Sequence, residues 1–529
     1  MSAARNFDPI RLEVLRNALE ATAQEMGVVL QFTSFSPNIK ERMDASCAIF
    51  DAQGQLVAQA EHVPVHLGSM LRAVRPVLDR MTQLEEGDVA IVNDPFVAGA
   101  HLPDILLIAP VYIGGRCIAY VANRAHHSDV GGMEPGSMPG RSTEIFQEGI
   151  IIPPLRLYRQ GVEQEDILAL ILANVRTPDE RRGDINAQLA SLRIGIRRLE
   201  ELAERFGAEV LEDGLAEVLD YTERRMRKRL AELPVGSWTT EDCLDDDGSS
   251  EEPVVIKLRV DVSPEELVFD FEGSSPQRKG NVNAVAPMTY SSIFYAIKIL
   301  TDATMPPNAG VLRPVRVKIP KGSFLDAQHP AAVCSGNTET TQRVADTVLR
   351  AFAQIAPHRI AAASQGTMNL IGVGGRDPRS GKPYTYIETI GGGQGGRPYG
   401  PGMSAVHANM SNTLNTPIEA LEITYPLRVE RYELRDGSSG AGKNPGGEGV
   451  VRAIRVVGHD ARVSLQSDRR RFAPYGLHGG ESGAKGLNWM LDAEGTRREL
   501  PSKGSITLKH DEVVVVETPG GGGWGKAQA

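Results

Sequence analysis

Cysteine is scarce in this chain: 529 residues hold four, at Cys47, Cys117, Cys243 and Cys334. They lie far apart and form no CxxC pair, which argues against a disulfide framework or a cysteine zinc knuckle and for free thiols in a reducing cytoplasm. A basic excess is also missing. The 57 basic and 67 acidic side chains leave a net charge of -10, so nucleic acid is not expected as a partner, because phosphate binding needs a basic face. The one basic run, Arg224-Arg225-Met226-Arg227-Lys228-Arg229, follows an acidic helical stretch and reads as a solvated helix face. No segment approaches the ~18 uninterrupted apolar residues of a membrane span, so no membrane association is expected. Met1 to Asp8 is polar and carries no export signal. Gly391 to Gly396 lacks the Gly-Lys-Ser/Thr ending of a phosphate loop, and there is no GxSxG elbow. This chain alone is therefore not expected to hydrolyse ATP.

The length exceeds what one hydrophobic core supports and predicts two to four lobes. Residues 9 to 30 have helical periodicity. Short strands and loops follow to about residue 155, including a small hairpin around Asp51-Ala52-Gln53-Gly54 and buried strands at 88–92, 105–112 and 117–123. Leu71 to Met81 reads as a helix. Residues 163 to 232 are helical, ended by Pro234 and Gly236. Strands return from Trp238, with helices near 291–300 and 338–355, and the last hundred residues read as mainly β. The expected fold is α+β, a multi-lobed mixed fold with discontinuous lobes and a central helical block. Its parts are a mixed α/β lobe at 1–155, a helical block at 156–236, a mixed α/β lobe with Gly-rich loops at 237–430 and a mainly β region at 431–529. The terminal GGGGWG reads either as a flexible tail or as an element packed at an interface.

The densest chemistry lies between Asn93 and Gly132, NDPFVAGAHLPDILLIAPVYIGGRCIAYVANRAHHSDVGG. Gly114-Gly115 between two apolar runs predicts a two-residue hairpin turn. Strand partners then sum to 229, so Asp104 faces residue 125 and His101 faces residue 128. This gathers His101, Asp104 and His126 at the open end of one hairpin. Two imidazoles and a carboxylate form a recurring ligand set for divalent zinc, manganese or iron, with positions left open for water or substrate. The plain alternative is ordinary polar residues at strand ends. A fourth ligand is sought in Lys40-Glu41-Arg42-Met43-Asp44; Asp44 is preferred, although the residue pattern alone does not separate it from Glu41. His62 and His66 flank Pro64, which predicts a loop that supports the ligands from behind. Glu148 is either a general base, a carboxylate behind the ligands, or a surface residue. His127 or Asp129 would orient water at such a site. Asp184 and Gln188 share a helix face and suggest a hydrogen-bond network or an intersubunit contact. His407 and Asn412 are candidates to line a pocket.

The strings SPNIKERMDASCAIFDAQGQLVAQAEHVPVHLGSM, NDPFVAGAHLPDI, ANRAHHSDVGG, PGSMPG, RTPDERRGDINAQLAS and ETPGGGGWG resemble the hydantoinase B/oxoprolinase family from near residue 8 to residue 525. By this resemblance His101, Asp104 and His126 match the family's metal ligands, and Asp44 a fourth. The resemblance implies a B-type subunit of a hydrolase acting on cyclic amides (hydantoin, 5-oxoproline or a lactam). It also implies an A-type ATPase partner that uses ATP to phosphorylate the substrate carbonyl, in a hetero-oligomer such as A2B2. Two other functions stay open at this point: a subunit of an ATP-dependent ketone carboxylase of the acetone or acetophenone type, and a noncatalytic scaffold stabilised by a structural metal.

Overall fold

The computed structural model describes residues 7–60 and 63–527. It is an α+β protein with several separate sheets, as the residue pattern predicts. The first sheet positions the candidate site. Its strands are β1 (Ala45–Asp51), β2 (Leu56–Gln59), β3 (Val89–Val92), β4 (Asp104–Ile113), β5 (Arg116–His126), β6 (Leu155–Arg159) and β7 (Val162–Glu163). They stand in the order β2-β1-β5-β4-β3-β6-β7, with every determined pair antiparallel.

Both faces of this sheet are covered, which explains why β4 and β5 read as continuous apolar runs. Ile105 and Leu107 pack with Leu15, Leu19 and Met26 of the Pro9–Thr33 helix and with Leu192 of the Pro178–Phe206 helix. Leu106 and Ile108 belong to a separate cluster with Phe50, Met70 and Val74. The odd and even residues of one strand thus serve two cores, as the two-residue repeat of a strand requires.

The hairpin turn forms as predicted, with Gly114 and Gly115 at φ 60° and 77°, a backbone region that side chains disfavour. The register differs from the arithmetic by one. Ile113 pairs Arg116 and Tyr112 pairs Cys117, but Val111 then pairs Ala119, and the shift persists until Asp104 stands opposite His126. Ile118 is the extra residue of a β-bulge. Since a one-residue slip exchanges the faces of a strand, the bulge turns His126 to the side of Asp104.

Two local expectations are corrected. Pro64 opens a helix, Pro64–Leu71, instead of forbidding one; at the first helical position its missing N–H had no intrahelical partner to lose. His66 is therefore helical, while His62 lies outside the described residues. The helix expected over 71–81 is instead split into Pro64–Leu71 and Val74–Leu78.

A second sheet holds β8 (Gly236–Leu244), β9 (Val254–Val262), β10 (Leu267–Asp270) and β11 (Val315–Lys318), packed against the Ala286–Leu300 and Glu339–Ile355 helices. The remaining strands are β12 (Leu370–Arg376), β13 (Pro383–Glu388), β14 (Leu427–Arg435), β15 (Gly449–Val456), β16 (Ala461–Gln466), β17 (Leu487–Leu491), β18 (Arg497–Glu499), β19 (Lys503–Leu508) and β20 (Val513–Glu517). They weave into two sheets, β13-β12-β16-β19 and β14-β15-β20-β17-β18. Among the described residues, no helix is long and apolar enough to cross a membrane.

The glycine segments interlock. Gly396 N–H donates to Gly522 O at 2.8 Å, Gly440 N–H to Gly521 O at 2.8 Å and Gly521 N–H to Gly447 O at 2.9 Å. A Cβ on Gly521 would lie 2.0 Å from Gln394 O, which is backbone and has little room to give. The GGGGWG stretch is thus a packed element. Gly521→Ala is expected to destabilise the protein by about 3 kcal/mol, at the upper end of overpacking costs; a thermal midpoint equal to wild type would contradict that packing.

Candidate metal centre

The bulge brings three donor atoms together. His101 Nε2 lies 3.1 Å from His126 Nδ1 and 3.3 Å from Asp104 Oδ1, and His126 Nδ1 lies 3.2 Å from that same oxygen. All three residues are buried. Metal–ligand bonds of about 2.0–2.1 Å at tetrahedral angles set donor atoms about 3.3 Å apart, so this triangle has the edge length of a coordination shell. The tautomers suit it as well. His101 Nδ1 faces the Cys334 carbonyl at 3.2 Å, where it must donate, leaving Nε2 a lone pair toward the other two ligands. His126 Nε2 is buried with no hydrogen-bond partner among the described residues; ligation through Nδ1 requires the proton on Nε2.

Asp104 is held from behind. Its second oxygen, Oδ2, lies 3.4 Å from His66 Nε2 and accepts from Asn337 Nδ2 at 3.4 Å. His66 Nδ1 in turn meets Ser46 Oγ at 3.0 Å. Burial by itself would raise the Asp104 carboxyl; when the imidazoles carry their protons toward it in place of an ion, His101 beside it and hydrogen bonds from His101, His126 and His66 hold it well below the usual carboxylate range. For His101, burial works downward, while the charge of Asp104, its hydrogen bonds and the more distant Asp44 raise it overall. Asp44 lines the same cavity and its carbonyl accepts from His126 N–H at 3.0 Å, yet it stands outside the close triad of His101, Asp104 and His126.

The other expected site residues are placed elsewhere. His127 follows His126 by one and points to the opposite face, where its Nε2 meets Gln188 Oε1 at 2.9 Å. Asp129 is tied to Arg176 at 2.8 Å and accepts from the Gly131, Gly136 and Arg176 amides. Glu148 is buried and accepts from Ser142 Oγ at 2.7 Å and from the Val333 and Cys334 amides at 3.1 Å. It therefore fixes the turn whose carbonyl faces His101. None of the three lines the cavity around the triad. Asp184 and Gln188 are structural: Asp184 accepts from the Phe35 and Ser36 amides, and Gln188 donates to Ile105 O and Asn123 Oδ1.

The residue pattern missed Arg42, Asn337 and the helical setting of His66. All three line the cavity. Asn337 comes from a segment remote in sequence, so spacing gave no sign of it, whereas Arg42 stands two residues before Asp44 but is not a metal-ligating type. Of the two pocket candidates, His407 stands one step back, 2.9 Å from Ser411 Oγ, and Asn412 lines a separate pocket; their neighbours Met410, Ser411 and Thr413 form the wall around the triad.

Burial brings the His127 pKa down to about 4, against the opposing charge of Asp184. Its native state therefore resists a proton that the unfolded chain accepts near pH 6.5. Stability from this group is complete above that pH and is lost as pH falls toward 4. In His127→Gln, denaturation midpoints should lose part of their decline over that interval; an unchanged pH slope would contradict the assignment.

Known proteins resemble this chain over nearly its whole length. The hydantoinase B/oxoprolinase pattern matches residues 8–527. The chain belongs to the hydantoinase B/oxoprolinase family. It is 38% identical to 5-oxoprolinase 1 of Arabidopsis thaliana, with 98% of this chain aligned to 42% of that protein. It is 32% identical to the putative B subunit of a D-/L-hydantoinase from a Pseudomonas strain, covering 98% of this chain and 90% of that one. Among solved structures, the ATP-dependent caprolactamase of Pseudomonas jessenii superposes with a TM-score of 0.91 at 29% identity, over 99% of this chain and 92% of that chain. An acetone carboxylase chain shares the fold at a TM-score of 0.90 and 18% identity, over 98% and 76% of the two chains.

Proposed function

We propose that this family member is the B-type subunit of an ATP-dependent cyclic amide hydrolase. The observation that carries the reading is the buried triangle of His101, Asp104 and His126 opening on a cavity. These residues, with Asp44 as a fourth ligand, would hold one divalent zinc, manganese or iron ion. Such an ion supplies Lewis acidity and makes water a competent nucleophile near neutral pH.

An amide carbonyl is a poor electrophile because nitrogen donates into it, and phosphorylation of its oxygen by an A-type ATPase partner removes that protection. The ATP is used on the partner, and the two chains form a hetero-oligomer such as A2B2. The near-complete alignment with the hydantoinase B subunit, against two fifths of a 5-oxoprolinase, supports a role as one component of a complex. On this chain, His66 and Asn337 hold the Asp104 carboxylate, and the Cys334 carbonyl orients His101. Met368, Leu370, Ile387 and Met410 give the cavity an apolar wall for a ring. The free space is narrow, about 30 Å3, enough for water, so a ring enters only if that wall moves. His127, Asp129 and Glu148 act by fixing the surrounding elements and do not touch substrate.

The hydrolase branch is favoured over the ketone carboxylase because the 5-oxoprolinase and hydantoinase relatives are closer in sequence, at 38% and 32%, than the carboxylase at 18%. The test combines the metal-loaded chain with an A-type partner and ATP, and supplies 5-oxoproline, a hydantoin and caprolactam in turn. Ring opening of one of them supports the reading. Bicarbonate-dependent consumption of a ketone, with no ring opening, would replace it.

A further inference from the structure

Arg42 is among the largest fully buried side chains of the protein, and it lines the same cavity as the ligand triad. Its guanidinium forms no ion pair among the described residues; all its acceptors are neutral. Nε donates to Leu414 O at 3.2 Å, and Nη1 to Asn38 Oδ1 at 2.6 Å and Ile387 O at 2.9 Å. Nη2 donates to Thr389 Oγ1 at 2.7 Å and to Thr413 Oγ1 at 3.4 Å. A buried cation without a counter-charge is costly. Four of the other five largest fully buried arginines are ion-paired among the described residues, such as Arg343 with Asp468 and Arg452 with Glu388. The fifth, Arg124, donates to Ser69 Oγ and the Ala98 and Gly99 carbonyls, and unlike Arg42 it does not line the cavity.

The hydroxyl protons show where the charge is directed. Thr389 Oγ1 and Thr413 Oγ1 are 2.9 Å apart, and both already accept from Arg42. The pair owns two hydroxyl protons, and the bond between them uses one. The other must leave the pair, and both side chains line the cavity. The cavity is thus offered an O–H donor polarised by a guanidinium. Charge counting agrees. With a divalent ion held as proposed, Asp44 and Asp104 offset its two charges, and Arg42 remains as the surplus.

We infer that Arg42, acting through Thr389 and Thr413, forms an anion subsite beside the triad. It takes a negatively charged oxygen group of the substrate, either a carboxylate on the ring or a phosphoryl group on its carbonyl oxygen. The inference rests on the hydrolase reading only for the identity of that substrate; the subsite itself rests on the geometry of Arg42 and the two threonines.

The test is calorimetric binding of inorganic phosphate and of acetate to the full chain, at constant ionic strength, with metal content measured on the same samples. Wild type should bind at least one of the two anions. Arg42→Met should weaken that binding about tenfold or more, the scale of losing a charge-assisted contact, and Arg42→Lys should restore part of it. Thr389→Val keeps the side-chain shape and removes the hydroxyl. It should show the same weakening while remaining folded, at a modest cost in thermal midpoint for the lost acceptor of Arg42, and it serves as the deciding variant if Arg42→Met does not fold. Preference for phosphate assigns the subsite to a phosphoryl group, and preference for acetate to a ring carboxylate. No anion binding to wild type, or undiminished binding to Thr389→Val and a folded Arg42→Met, overturns the subsite. Wild type that takes up no metal even after reconstitution, yet binds an anion through Arg42, would sink the hydrolase reading and leave the subsite standing.

Discussion

Purified wild-type protein is expected to carry about one equivalent of zinc, manganese or iron, and a His101→Ala, His126→Ala double variant none, while both remain folded. Two of the three donors in the triangle are removed together, and the Asp104 carboxylate with the proposed fourth ligand Asp44 does not hold a zinc-type ion against water without the imidazoles. The folded state should survive because the hairpin that carries these residues is fixed by cores on both faces, with Ile105 and Leu107 in one and Leu106 and Ile108 in the other. A graded result is expected from His66→Ala. This residue touches Asp104 and not the other two ligands, so its loss should weaken metal affinity about 10–100-fold, the usual effect of removing a group that orients a ligand. Elemental analysis and competition with a chelator measure both. Retention of the metal in the double variant would remove the proposed centre. An unaffected His66→Ala would leave the centre and remove its support.

The largest loss of stability from a single polar substitution is expected at Asp468. Its carboxylate accepts from Arg343 Nη2 at 2.6 Å and from Lys503 Nζ at 3.0 Å, with all three side chains fully buried. It also accepts from the Asp245 and Arg469 amides. Arg343 lies on the Glu339–Ile355 helix that packs on the second sheet, and Lys503 opens β19 of the third, so the carboxylate ties that helix to the third sheet. Removing one member of a buried ionic cluster strands the others in low dielectric at about 3–5 kcal/mol. Arg343 and Lys503 keep weaker partners in Asp242 at 3.5 Å and Asp246 at 3.3 Å, so Asp468→Ala is expected near the lower end, about 3 kcal/mol. Chemical denaturation would measure it, and a loss under about 1 kcal/mol would show that those partners suffice.

Much of this protein was legible before any coordinates. The Pro9–Thr33 helix, the apolar strands β3 to β5 and the long helices between 165 and 230 follow from periodicity, because one helix stripe or one strand run must face a core. Nitrogen and oxygen donors of the right chemical type, concentrated in NDPFVAGAHLPDI and ANRAHHSDVGG, marked the candidate centre, and the two glycines at the turn gave its hairpin. Local sequence thus specified which residue types meet and on which supersecondary unit. Which atoms meet was settled at the tertiary level. A single bulged residue, Ile118, put His126 on the side of Asp104 and His127 on the other, and no local rule announces a bulge inside an apolar run. Long-range packing brought His66, Asn337 and Arg42 to the same cavity and locked GGGGWG between other glycine segments. One cause underlies all of these. Periodicity reports the environment of a residue averaged along its own element, whereas the cavity is made of contacts between elements hundreds of residues apart, set by register and close packing that local sequence does not encode.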